Sequence, residues 1–174
     1  MTFCVYRNNR NTIQNLRSAV NECFYAPGLV YFDYRNIFAG TPETVVDHFL
    51  WVHQMSGKRL HVMFHLFSID FDGLKDFAQV ERISEQFLDY LGLNFQALLT
   101  ICIDSDGCYR ASFLINGVSK DGRCAFQDRN STYRDLITML ADISGQEVDV
   151  ELADNVLFRN IDNNIVNYTA YEGR

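Results

Sequence analysis

Three polar side chains share one face of an otherwise apolar segment: Arg110, Ser112 and Asn116. Side chains alternate faces along a strand, so residues two and four apart point the same way. Cys108–Val118 alternates in this manner, with Tyr109, Ala111, Phe113 and Ile115 on the opposite face. A guanidinium, a hydroxyl and a carboxamide in one row form the first candidate binding site, and the guanidinium could contact a phosphate directly. Just upstream, Asp104 and Asp106 offer two carboxylates on the same side of a turn, a candidate Mg²⁺ pair as well as ordinary turn formers.

Other chemistry-bearing residues are spaced less suggestively. His61 and His65 share a strand face, but four residues at ~3.3 Å each put them ~13 Å apart, too far for one ion. His48 and His53 lie roughly 140° apart around a helix. All four histidines are therefore expected to pack against neighbours or face solvent rather than share an ion. Cys102 and Cys108 have no His or Arg partner, set by spacing, that would make a reactive thiolate. No phosphate-cradling glycine loop and no G-x-S-x-G elbow is present.

The elements that must carry these groups are legible from periodicity. Ala97–Ile103 is a nearly continuous apolar run, suited to a strand buried on both faces. Asp104-Ser105-Asp106-Gly107 is turn chemistry, so the run and Cys108–Val118 form a tight antiparallel hairpin. Upstream, Thr12–Tyr25 reads as a helix with Ile13, Leu16, Val20 and Phe24 on one stripe, stopped by Pro27-Gly28. Leu29–Tyr34 is a short β-rich strand. Thr41, Pro42 and Glu43 start a helix over Pro42–Ser56, which Gly57 ends. Leu60–Ile69 is a further strand, Leu74–Leu91 the clearest amphipathic helix, and Ser131 or Thr132 caps a last helix to about Ile143. After Gly145 the short runs are strand-like or irregular. The order α-β-α-β-α-β-β-α predicts an α+β fold with helices packed on a mainly antiparallel central sheet.

Composition bounds the function. The 174 residues, 48% of them hydrophobic, fill one domain with a sizeable core. No apolar run approaches the ~20 residues of a membrane helix, and the N-terminus lacks a signal-peptide apolar core. Five cysteines without a C-x₂-C pair fit reduced thiols in a cytoplasm. The formal charge of −7 counts against strong nucleic-acid binding. Charge is uneven, however. Residues 1–35 hold four arginines against two acids, and residues 108–134 hold five cations against two acids, which allows a locally basic groove.

The hairpin carries a resemblance. The Asp104-Ser105-Asp106 turn, Phe113-Leu114-Ile115-Asn116, Gly117-Val118-Ser119 and Asp121-Gly122 keep the frame of a strand–turn–strand motif. That frame, followed by a helix near Tyr133–Leu140, resembles the relaxase/mobilisation-nuclease family, the HUH endonucleases that nick one strand of plasmid or transposon DNA. The likeness covers about residues 60–143 of a single domain, and implies a fold related to the ferredoxin-like type. In that family an H-x-H strand and an upstream His hold a divalent ion that polarises the scissile phosphate for an N-terminal Tyr. Here the H-x-H positions fall on Arg110 and Ser112, and the upstream His on Cys102 or Ile103. A guanidinium cannot ligate a cation.

The resemblance therefore implies a catalytically degenerate relaxase-like protein with no catalytic residue, no metal and no cofactor. It would bind single-stranded or nicked DNA without cleaving it, through Arg110, Ser112, Asn116, Tyr34 and the basic 108–134 segment, or partner a mobilisation protein of the relaxosome. Tyr25, Tyr31 and Tyr34 lie in the part of the chain where the family carries its nucleophile. The alternative is a protein-interaction or regulatory module that kept the fold without nucleic-acid binding. A third reading, a working nuclease using Asp104, Asp106 and His61 or His65, ranks last.

Overall fold

The computed structural model describes residues 1–6, 10–38, 40–57, 62–153 and 165–167, the last three and residues 152–153 as backbone only. Its elements run β1 (Thr2–Tyr6), α1 (Ile13–Phe24), β2 (Leu29–Arg35), α2 (Pro42–Ser56), β3 (Phe64–Phe71) and α3 (Phe77–Gly92). They continue with β4 (Phe95–Ile103), β5 (Tyr109–Ser119), α4 (Asn130–Ser144), β6 (Asp149–Ala153) and β7 (Ile165–Asn167). The strands form one sheet in the order β2-β4-β5-β3-β1-β6-β7.

The sheet is mixed, which corrects the mainly antiparallel arrangement expected from the sequence. β6 returns after the α4 crossover to lie parallel to β1, pairing Thr2 with Asp149 and Tyr6 with Ala153. The β4–β5 hairpin is antiparallel as expected, and β3 flanks β5 antiparallel on its other side. β1 itself was not foreseen, because a five-residue strand at a chain end carries little periodic signal.

Burial explains the layers. Phe67, Ile69, Leu99, Ile101, Phe113 and Ile115 point to one face, where α3 and α4 cover them with Val80, Phe87, Leu88, Leu136 and Leu140. Leu66, Leu98 and Leu114 point to the other face, covered by α1 and α2 through Leu16, Val20, Val45 and Phe49. With helices on both faces the middle strands bury both sides, hence the nearly continuous apolar run Ala97–Ile103 of β4 and the large apolar residues on both faces of β3 and β5. Burying a large apolar side chain of this kind contributes about 1.5–3 kcal/mol.

Local signals place the ends. Thr12, Thr41 and Asp76 accept backbone N–H bonds at the starts of α1, α2 and α3, and Pro42 takes the first turn of α2. Helix α3 begins at Phe77, three residues later than expected, because Asp76 caps it and Phe71–Leu74 forms a turn. Helix α4 starts at Asn130 without a side-chain cap, although Ser131 or Thr132 was expected to provide one. Its first turn is held instead by Tyr133, whose hydroxyl donates to Asp128 Oδ1 at 2.5 Å. Strand β3 starts at Phe64; residues 58–61, including His61, lie outside the described residues.

Candidate functional site

β5 is the third strand of the sheet, and the face carrying Arg110, Ser112, Leu114 and Asn116 looks toward α1 and α2. Register sets what stands beside each. Arg110 lies between Cys102 on β4 and Asp70 on β3; Ser112 lies between Thr100 and Ser68; Asn116 faces Phe64. The three polar groups thus meet three different environments.

Arg110 is bound by a fork. Its Nε donates to Asp70 Oδ1 at 2.5 Å and its Nη2 to Asp70 Oδ2 at 3.0 Å. This two-point geometry is the strongest form of the guanidinium–carboxylate pair. The guanidinium is 32% exposed and its partner 17%. Burial works against the arginine's charge, but the Asp70 bonds outweigh it and hold the Arg110 pKa above its ordinary value.

The pair floors a cleft of about 460 Å³ at the end of the sheet. Pro27 and Gly28 form one wall and the β4–β5 turn the other, while Asp72 and Asp104 add two more carboxylates. Gly28 is required there: its φ is +70°, and a Cβ would meet the Ile103 carbonyl oxygen at 2.1 Å. That close approach lets Ile103 N–H donate to the Gly28 carbonyl at 2.9 Å, tying the α1–β2 loop to the hairpin.

The neighbouring thiols are kept protonated. Burial pushes the Cys4 thiol up to about 12, with Asp70 adding to the effect. Burial also raises Cys102, and Arg110 only partly opposes it. Tyr6, which shares a hydrogen bond with Ser68, is pushed by burial to about 12 as well. Burial, then Asp70 and Asp72, raise Glu151. Neither these thiols nor the Tyr6 hydroxyl is poised as an anionic nucleophile near neutral pH.

Ser112 and Asn116 do not line the cleft. Ser112 is buried within the sheet. Asn116 is fully buried and ties three elements together: its Nδ2 donates to Gln96 Oε1 at 2.7 Å and to the Phe49 carbonyl at 3.2 Å. Its Oδ1 accepts from Val118 N–H at 3.2 Å. Tyr34 is remote too. From the outer strand β2 it pairs with Leu98 of β4, which is in register with Leu114, four residues along β5 from Arg110. Four residues along the strand and two strands across amount to roughly 16 Å. The structure therefore brings together Arg110, Asp70, Cys102 and Asp104, and leaves Ser112, Asn116 and Tyr34 elsewhere.

The remaining candidates have structural duties. Asp104 Oδ1 accepts from the backbone N–H groups of Asp106 and Cys108 at 2.9 and 2.8 Å, so it builds the turn. The Tyr31 hydroxyl donates to Glu85 on α3, and Tyr25 is exposed at the end of α1. His53 bonds the Met63 carbonyl, and His48 accepts from Phe38 N–H. Among the described residues no group of three or more His, Cys, Asp or Glu could hold a metal ion. Likewise, no helix of the described residues is long and apolar enough to cross a membrane.

Two features were missed by sequence reasoning. Asp70, one residue past the expected Leu60–Ile69 strand, is not among the sequence's candidates, yet it faces Arg110 across adjacent strands as a cross-strand pair. The second is a buried network on the α4 side. Arg10 Nη1 bonds His65 Nδ1 at 2.8 Å and its Nη2 bonds Asp128 at 2.8 Å, while His65 lies 4.2 Å from the Phe126 ring. Burial, reinforced by Arg10, lowers the His65 pKa to about 3, so it stays neutral and accepts from Arg10.

No protein-family model, curated protein or solved structure matches this chain.

Proposed function

We propose that this chain is a relaxase-like domain whose nicking centre has been replaced by an internal ion pair, and that it works as a protein-interaction or regulatory module. The observation that carries this reading is the two-point Arg110–Asp70 bond at 2.5 and 3.0 Å. It sits where the resemblance of the hairpin would place metal-binding imidazoles. A guanidinium repels a cation, and the facing carboxylate already neutralises its charge toward a phosphate.

The charge around it points the same way. Asp70, Asp72 and Asp104 outnumber Arg110 in the cleft, so a polyanion entering it meets net negative charge. Some of the cations of residues 1–35 and 108–134 are held in ion pairs within the chain. Arg10 pairs with Asp128, Arg35 with Asp33 and Asp89, and Arg123 with Asp121. Phosphate contacts supply most nucleic-acid affinity, so a chain of charge −7 with Arg10, Arg35, Arg110 and Arg123 so engaged has less to offer DNA than the sequence count suggests.

A second reading, weak binding of single-stranded or nicked DNA, has the openness of the cleft in its favour, since one third of the Arg110 surface stays exposed. The two are separated by fluorescence anisotropy with a labelled 20-nucleotide strand and a nicked hairpin, at low and at moderate salt. No saturable binding is expected at either. Binding that weakens steeply with salt, and that Arg110→Gln abolishes, would restore the DNA-binding reading.

A further inference from the structure

Helix α2 turns Val45, Val46, Phe49 and Val52 into the core, yet its outer face is not uniformly polar. Glu43, Asp47, Trp51 and Met55 follow one another at four-residue spacing, which aligns them along one side of a helix. Trp51 is 58% exposed and Met55 61%, and Phe38 beside them is 81% exposed. Phe38 is held rather than loose: its ring stands edge-on to His48 at 5.4 Å, and its N–H donates to His48 Nδ1. Phe38, Leu50 and Trp51, with Asp47, border an open groove of about 610 Å³.

We infer that this outer face of α2 is the docking surface for a basic amphipathic helical segment of another protein. Large aromatics at the centre of a patch are the usual anchors of binding energy, and an apolar groove on a helix suits the apolar stripe of a second helix. Charge selects the occupant. Asp47 borders the groove, and Glu43 stands one turn further along the same side, with Arg17 of α1 the one cation lining the adjoining depression. Lysine or arginine on the partner would meet those two carboxylates and could lie over the exposed ring of Trp51. A second copy of this chain is disfavoured, because two chains of charge −7 would bring acid against acid.

This inference rests on the interaction-module reading and names its partner class. Trp51 is the only tryptophan in the chain, so its emission reports on this face alone. The experiment titrates the full chain with a tryptophan-free peptide of leucine and lysine in helical period, and with its leucine–glutamate counterpart. A saturable blue shift is expected with the lysine peptide and none with the glutamate peptide. The Glu43→Lys/Asp47→Lys variant, with unchanged circular dichroism, is expected to bind the lysine peptide about tenfold more weakly. Absence of a shift with the lysine peptide overturns the inference. So does an equal shift with both peptides, or a dimer seen by sedimentation whose formation alone shifts the emission. DNA binding by the chain would sink the interaction-module reading whatever Trp51 reports. A silent Trp51 in a chain that binds no DNA would remove only this surface.

Discussion

Replacing Asp70 by Asn tests whether the Arg110 fork is a working ion pair. The change keeps the shape of the acceptor and deletes its charge, leaving a guanidinium that is two-thirds covered without its counter-ion. Fully exposed pairs contribute about 0–1 kcal/mol, whereas breaking a buried pair costs 3–5 kcal/mol. With Arg110 at 32% and Asp70 at 17% exposure, the site lies between these limits. We expect Asp70→Asn to cost about 2 kcal/mol, which for a domain of this size lowers Tm by roughly 4–8 °C. Arg110→Gln is expected to cost a similar amount, because it strands a mostly buried carboxylate beside Asp72. The double variant removes both charges and should cost less than the sum, by about 1 kcal/mol of coupling. The assay is urea denaturation followed by circular dichroism across the four members of the cycle. Additive costs, or an Asp70→Asn variant as stable as the parent, would refute the reasoning.

Three further outcomes follow from named contacts. The folded His65 pKa of about 3 lies below its ordinary value of 6.5, so the unfolded chain binds the extra proton between these limits. Stability from neutral His65 is therefore complete above pH 6.5 and lost as pH falls toward 3, by about 1.4 kcal/mol per unit. Denaturation midpoints from pH 7 to 5 should fall more steeply in the parent than in His65→Gln. Gly28→Ala puts a Cβ against the Ile103 carbonyl in a positive-φ position and should cost at least about 2 kcal/mol, read as a thermal shift. Asn116→Ala strips hydrogen bonds from Gln96 and the buried Phe49 carbonyl, and should cost about 2–3 kcal/mol in urea titration.

How much was legible divides along sequence distance. The β4–β5 hairpin, the Thr12 and Thr41 caps and the apolar stripes are local signals, and the structure carries them close to where periodicity placed them. The pairing of β6 with β1 joins segments almost the whole chain apart, and nothing local announces it. Strand alternation correctly set Arg110, Ser112 and Asn116 on one face. It could not say that α1 and α2 would cover most of that face, leaving Arg110 at its open end and Asn116 deep against Phe49. Asp70 is forty residues from Arg110, so its role needed the β3–β5 register. The charge counts over residues 1–35 and 108–134 treated each cation as available to a partner, and the tertiary pairs of Arg10 with Asp128 and Arg110 with Asp70 show why composition alone overstates a basic surface.

The most direct test of the central claim is an NMR measurement of the Arg110 side chain in the ¹⁵N-labelled full chain, before and after adding single-stranded DNA. A slowly exchanging Nε–H signal is expected, displaced by Asp70→Asn and unmoved by the oligonucleotide. A signal that exchanges as fast as that of a solvated arginine, or that shifts as DNA is added, would contradict a site closed by its own ion pair.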